Sequence, residues 1–246
     1  MLDFVNPDSK TQNIDLSPQD AAKKAAGELA AALIQDGMTV GLGTGSTTAF
    51  ALEAIGRRVR EEGLKIKGTP TSFFAERLAR QYGIPLCALD DIDRIDVALD
   101  GADEVDGKLN LIKGRGGAHT REKVVASLAD RFIVLVDSSK LVGRLGVRMP
   151  VPVEVLPMAA SSIMRRLKSI GTYPELRTGS GKDGPVVTDQ GFWIIDAHVD
   201  GIDDPHTLAR AIRSIPGVLD HGLFLGMASD VLIGDETGHV RHLTRQ

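Results

Sequence analysis

The residues best equipped for chemistry lie close together in Lys113-Gly114-Arg115-Gly116-Gly117-Ala118, followed at once by Thr120-Arg121-Glu122-Lys123. A cation set in a glycine-rich backbone can lie against a ligand and turn N–H donors toward a developing oxyanion. Thr120 is expected to cap a helix that carries Glu122 in its first turn. The positive end of a helix lowers a carboxylate's pKa and keeps it ionised, so Glu122 is expected to accept a proton. The plainer reading is that it only compensates the helix dipole. A second segment, Gly41-Leu42-Gly43-Thr44-Gly45-Ser46-Thr47-Thr48, has the backbone donors and hydroxyls to cradle a phosphate. It lacks the lysine of a P-loop, and Ser46 stands where a dinucleotide fingerprint has its third glycine.

A third segment, Asp100-Gly101-Ala102-Asp103-Glu104, could grip sugar hydroxyls, form a solvated acidic turn or hold a divalent metal. The six histidines are scattered and none pairs with a carboxylate at ligand spacing, so no metal is expected. Val105-Asp106-Gly107 reads as a solvated turn. Lys140, after an apolar run, can reach a phosphate or lie exposed, and its place at a strand end favours the site. His119 is a candidate acid by type, although a lone histidine beside a helix start is usually structural. His198 alternates with Asp196, opposite Trp193, Ile195 and Ala197, and is expected to face water or a partner.

The elements that must position these groups alternate. Ser17-Pro18-Gln19-Asp20 reads as a helix start, and Ala22, Ala25, Ala26, Leu29, Ala30 and Leu33 give that helix one apolar stripe before Gly37. Strands are predicted at Thr39–Leu42, Leu64–Gly68, Ile95–Leu99 and Phe132–Val136, with helices over 49–59, 73–82 and 121–129. This alternation implies a parallel sheet covered on both faces, with ligands beyond the carboxyl ends of its strands. The glycine loop, Asp100 and Asp137 all fall at such ends. From Met149 the order becomes strand, helix, two strands, helix, strand, which predicts a split βαβ unit of the ferredoxin-like kind. Strands near Val231–Ile233 and Val240–Leu243 are expected to return to the first sheet. The expected fold is therefore α/β: a Rossmann-like domain of residues 1–148 and about 224–246, and a smaller α+β ferredoxin-like domain of residues 149–223. Residues 1–16 are expected to form a flexible arm.

In these motifs the chain resembles the type A ribose-5-phosphate isomerases. The phosphate loop is Gly43-Thr44-Gly45-Ser46-Thr47, the acidic motif is Asp100 to Glu104, and the catalytic segment runs from Lys113 to Lys123. Val136-Asp137-Ser138-Ser139-Lys140 and Pro152-Val153-Glu154-Val155-Leu156-Pro157 also match, and the likeness runs from about Ser17 to the C-terminus. The resemblance implies interconversion of ribose 5-phosphate and ribulose 5-phosphate in the pentose phosphate pathway, with no metal or organic cofactor, in a homodimer or homotetramer. It puts the proton-transferring base at Glu122, with Asp100, Asp103 and Lys113 as its catalytic company. Substrate contacts would come from Thr44, Gly45, Ser46, Thr47, Gly101, Ala102, Gly114, Arg115, Gly116 and Lys140. The chain departs from the family's usual pattern at Arg115, where the glycine run normally continues, and at His119, which often is apolar.

Composition narrows the classes further. With 42% hydrophobic and 25% charged residues over 246 positions, the chain can bury a large core. A net charge of −4, with its basic residues dispersed, argues against a nucleic-acid partner. No apolar run approaches the about 18 residues of a membrane span. The single cysteine, Cys87, excludes an internal disulfide and points to a reducing, cytoplasmic setting. The rival readings are another enzyme on a related scaffold, such as an amino-sugar-phosphate isomerase or an acyl-CoA transferase, and a sugar-phosphate sensor without turnover. A sensor would not need Glu122.

Overall fold

The computed structural model describes residues 16–179, 181 and 183–245; the expected arm lies outside them except for Leu16. Ser17 accepts the backbone N–H of Asp20 and starts α1 (Pro18–Ala32). There follow β1 (Thr39–Leu42), α2 (Ser46–Glu61), β2 (Lys67–Pro70), α3 (Phe73–Gln81) and β3 (Ile95–Gly101). Two short strands, β4 (Glu104–Val105) and β5 (Leu111–Ile112), precede α4 (His119–Ser127) and β6 (Ala129–Asp137). The chain continues through β7 (Val151–Val155), α5 (Ala160–Ser169), β8 (Tyr173–Leu176), β9 (Trp193–His198), α6 (Pro205–Arg213) and β10 (Val218–His221). The remaining strands are β11 (Leu223–Phe224), β12 (Asp230–Gly234) and β13 (Val240–Thr244).

Six strands form the main sheet in the order β13-β12-β6-β3-β1-β2, all parallel except β13, which pairs antiparallel with β12. Because successive strand residues point to opposite faces, β6 serves two cores. Its Ile133 and Leu135 pack with Ala26, Ala30, Leu52 and Ile55 of α1 and α2. Its Phe132, Val134 and Val136 pack with Val125 and Ala126 of α4 and with Phe224. The strand expected over Leu64–Gly68 begins three residues later. Leu64 and Ile66 are buried in the first core, but pairing with β1 starts only at Lys67; apolarity there marks burial before the strand.

The second unit is a separate antiparallel sheet in the order β10-β7-β9-β8, with α5 and α6 packed on it. Counting only its own strands this is 4-1-3-2, the split βαβ arrangement. A third sheet, β11-β5-β4, joins the two units and was not expected, since two-residue strands carry no readable periodicity. It also corrects the reading of Val105-Asp106-Gly107 as a solvated turn. Val105 is buried in β4, and only the tip of the turn that follows is open. Asp106 organises that tip by accepting the N–H groups of Lys108 and Asn110. No helix among the described residues is long and apolar enough to cross a membrane.

Gly222, between β10 and β11, ties the smaller sheet to the catalytic segment. Its carbonyl accepts the Lys113 N–H at 2.9 Å and its own N–H reaches Pro152 at 2.7 Å. A Cβ at this position would fall 2.1 Å from the Lys113 carbonyl oxygen, so only glycine allows the approach. Gly222→Ala is expected to cost about 1–3 kcal/mol by overpacking, read as a lower urea midpoint with an unchanged slope.

Candidate functional site

A cavity of about 460 Å³ opens at the carboxyl ends of β1, β3 and β6. Its wall contains Thr44, Gly45, Ser46 and Thr47 from the glycine loop, Gly101, Ala102 and Asp103 from the acidic motif, and Lys113, Gly114, Arg115, Gly116 and Glu122 from the catalytic segment, with Lys140 at the rim. Segments up to about a hundred residues apart in sequence thus meet at one place. Of the site residues that the resemblance implies, only Asp100 is missing from the wall. It lies directly beneath.

Lys113 is the hub. Its ammonium stands 3.3 Å from Asp100 Oδ2 and 3.1 Å from Glu122 Oε2, and it donates to the Gly101 carbonyl at 2.5 Å. All three side chains are at least 95% buried: Asp100 is 2% exposed, Lys113 3% and Glu122 5%. Burial alone would push the lysine's pKa down, but Asp100, Glu122 and Asp103 outweigh it and raise it, so the cation is retained. Both carboxylates move up. Burial is the main cause for Asp100, opposed by Lys113 and by the N–H groups of Thr44 and Gly101 that bond its carboxylate. Glu122 is raised to about 8 by burial and by repulsion from Asp100, with Lys113 opposing. Here the structure reverses the expectation that the helix end keeps Glu122 an ordinary, fully ionised carboxylate, because desolvation in a closed site exceeds the effect of one helix terminus.

Other parts of the segment differ from expectation. Helix α4 starts at His119 with Ala118 as its cap residue and no capping side chain. Thr120 instead gives its hydroxyl proton to buried Glu154 on β7. Lys123 turns away from the cavity to Asp220, at 2.9 Å, and lies 4.9 Å from the centre of the Phe224 ring. His119 is fully buried against Gly114, and burial holds its pKa near 3, so it stays neutral and is no acid. Glu104 is spent on backbone N–H groups of Gly146, Arg148 and Met149. The β9 face carrying His198 is only partly open. His198 is exposed, whereas Ile194 and Asp196 on the same face lie toward the catalytic segment.

In the glycine loop, Gly43 approaches so closely that a Cβ would lie 2.2 Å from the Leu99 carbonyl oxygen, which lets the loop cross the end of β3. Thr44 is held by its N–H to Asp100 and by its hydroxyl to Thr71 and Ser72. Helix α2 begins at Ser46 without a side-chain cap, so its first-turn N–H groups face the cavity unspent. Asp137, expected at a strand end, also lines the wall, and so do Gln19 and Lys23, which were not anticipated. The two α1 residues reach it because the first turn of α1 comes to the end of β6, where Gln19 meets Asp137, which no local spacing reveals. Cys87 is half-buried, away from this wall, and burial pushes its thiol up. Among the described residues, no three His, Cys, Asp or Glu side chains are grouped to hold a metal.

A donor-rich loop for an anion, facing a carboxylate poised by a buried lysine at the strand ends, makes this an α/β enzyme for moving a proton on a small anionic substrate. Comparison with known proteins gives the family. A family model described as ribose 5-phosphate isomerase A (phosphoriboisomerase A) matches residues 67–238, and the chain belongs to that family. A ribose-5-phosphate isomerase A from Thermosynechococcus vestitus is 56% identical over 214 residues, covering 87% of this chain and 91% of that protein. The solved ribose 5-phosphate isomerase A from Methanocaldococcus jannaschii superposes with a TM-score of 0.87 at 47% identity, covering 91% of this chain and 98% of the other. A D-ribose-5-phosphate isomerase solved in complex with phospho-erythronic acid gives a TM-score of 0.90 at 47% identity, covering 92% and 99%.

The charge arrangement sets a sign for stability. Since Glu122 has a folded pKa above its unfolded one, its contribution is fully present below about pH 4.5 and is lost as pH rises through about 8. Glu122→Gln is therefore expected to be relatively more stable than the parent at pH 9 than at pH 5, measured as the difference in urea midpoints at the two values.

Proposed function

We propose that Glu122 is the base of the isomerisation, taking the C2 proton of open-chain ribose 5-phosphate and returning it to C1 of the resulting cis-enediolate. The activity itself, interconversion of ribose 5-phosphate and ribulose 5-phosphate in the pentose phosphate pathway, is that of the family. The observation that carries the assignment of Glu122 is its carboxylate on the cavity wall, 3.1 Å from a buried ammonium. A base with a raised pKa holds a proton strongly enough to take it from carbon, yet one near 8 releases it again within a turnover.

The other roles follow from position. The unspent N–H groups at the start of α2, with the Ser46 and Thr47 hydroxyls, suit the phosphate, and Lys140 and Lys23 add charge at the same end. Lys113 and the N–H groups left free in the Gly114–Gly117 segment, those of Arg115 and Gly117 being spent on Asp103 and the Gly114 carbonyl, suit the negative charge that develops on the C1 and C2 oxygens. Asp103, on the wall, is the carboxylate within reach of sugar hydroxyls and serves ring opening or the proton shift between O1 and O2. Asp100 acts from beneath by holding Lys113. The scheme uses no metal and no organic cofactor. The phospho-erythronic acid bound by the solved relative supports it, because a carboxylate on a four-carbon phosphate imitates an enediolate in charge and shape.

The division into residues 1–148 with about 224–246, and 149–223, is supported by the separate sheets, and a cytoplasmic setting by the lone half-buried thiol. A homodimer or homotetramer is supported by exposed Phe73, Phe74, Val124 and Leu128, apolar side chains that a second copy would cover.

Positioned general bases contribute about 10² to 10⁴-fold, so Glu122→Gln is expected to lower kcat at least a hundredfold in a folded protein. The parent's kcat/KM for ribose 5-phosphate should rise with pH through a value far above an ordinary glutamate's 4.5, toward 8. Near-full activity of the variant, or an acid limb at 4 to 5, would remove Glu122 from this role.

A further inference from the structure

The carbonyl oxygens of Gly114 and Arg115 both point at one guanidinium nitrogen. Arg177 follows β8, and its backbone is fixed on both sides, by its N–H to the Ile194 carbonyl and by its own carbonyl to the Val186 N–H, each at 2.9 Å. Its side chain crosses from the smaller sheet to the catalytic segment. Nε and Nη2 engage the two carboxylate oxygens of Asp196 on β9, and Nη1 donates to the Gly114 oxygen at 2.8 Å and the Arg115 oxygen at 3.1 Å. Both side chains of the ion pair are only 15% exposed.

Two consecutive peptide groups therefore have their oxygen ends turned the same way. The described peptide bonds are all trans, and in a trans peptide the N–H points opposite to the C=O. The N–H of Arg115 lands on Asp103 Oδ2 at 2.9 Å. The next N–H, that of Gly116, is also turned away from Arg177, and among the described residues no acceptor takes it. Gly116 stands on the cavity wall. With glycines at 114, 116 and 117, this backbone has several conformations open to it, and the two carbonyl bonds to Arg177, together with the Gly117 N–H on the Gly114 carbonyl at 3.0 Å, select one. The cation at the oxygen ends also polarises both peptides and makes their N–H groups better donors.

We propose that Arg177, oriented by Asp196, is a positioning residue that aims the Gly116 N–H at the oxyanion of the enediolate, so that the smaller domain completes the catalytic site of the larger. The proposal rests on the isomerase reading above. An arginine is required because three nitrogens in one plane are used at once, two on the carboxylate and one on the carbonyls. A lysine keeps the charge and the ion pair but cannot span both partners.

The test compares Arg177→Lys and Arg177→Met with the parent enzyme in ribose 5-phosphate isomerisation, with thermal melting recorded for each. Both variants should lose at least tenfold in kcat with KM changed less than threefold. The inhibition constant of phospho-erythronic acid should weaken by about the factor lost in kcat/KM, while that of inorganic phosphate, which probes only the phosphate end, stays unchanged. Should Arg177→Met unfold, Arg177→Lys carries the test, since it retains a partner for Asp196. Native-like melting with undiminished kcat in the lysine variant, or a loss confined to KM, overturns the proposal. A parent enzyme without turnover overturns the isomerase reading itself, which separates the two failures.

Discussion

Burying two carboxylates around one ammonium is the constraint on which this molecule turns. Lys113 is held between Asp100 and Glu122 with all three side chains buried, and removing one partner of such a cluster leaves a buried charge that costs about 3–5 kcal/mol. The cluster also sets the chemistry. One cation cannot fully satisfy two buried anions, and the shortfall appears as raised pKa values on both carboxylates, of which Glu122 is the one on the cavity wall. A site that solvated Glu122 well would leave its pKa near the ordinary glutamate value.

The fold is arranged to keep that cluster in register. Asp100 comes from the end of β3, Lys113 from the chain after β5, and Glu122 from the first turn of α4, so three elements must be fixed relative to one another. Much of the fixing comes from outside the main sheet. Glu154 on β7 takes the Thr120 hydroxyl, Asp220 on β10 takes Lys123, and Gly222 holds the Lys113 backbone. Arg177 adds a clasp on the glycine turn from β8. The smaller sheet thus acts as a brace for the segment that bears Lys113 and Glu122.

Much of this was legible from residue order. The alternation of helix and strand predicted a parallel sheet, and the change of order at Met149 predicted the split βαβ unit, because both patterns depend on periodicity over four or more residues. Almost every candidate site residue lines the cavity, since strand ends gather ligands in such sheets whatever the loops contain. The β4–β5–β11 sheet was not legible, since two-residue strands have no period. Thr120 was misread because a threonine before an acidic residue looks like a cap, while its hydroxyl has a buried carboxylate available across the domain boundary.

The sequence by itself determined which groups are present and on which kind of element each one sits: a donor loop at a strand-to-helix turn, two aspartates at a strand end, and a lysine and a glutamate flanking a glycine run. It also carried enough of the family's motifs to identify the chemistry. Only the tertiary structure decided how those groups are used. It put Asp100 below the wall and Asp103 on it, raised the pKa of Glu122 instead of leaving it an ordinary helix-start carboxylate, and set Arg177 behind the glycine turn. The reason is that desolvation and charge–charge coupling depend on what packs around a group in space. Gly114 and Arg177, 63 positions apart, carry no local sign that they will meet.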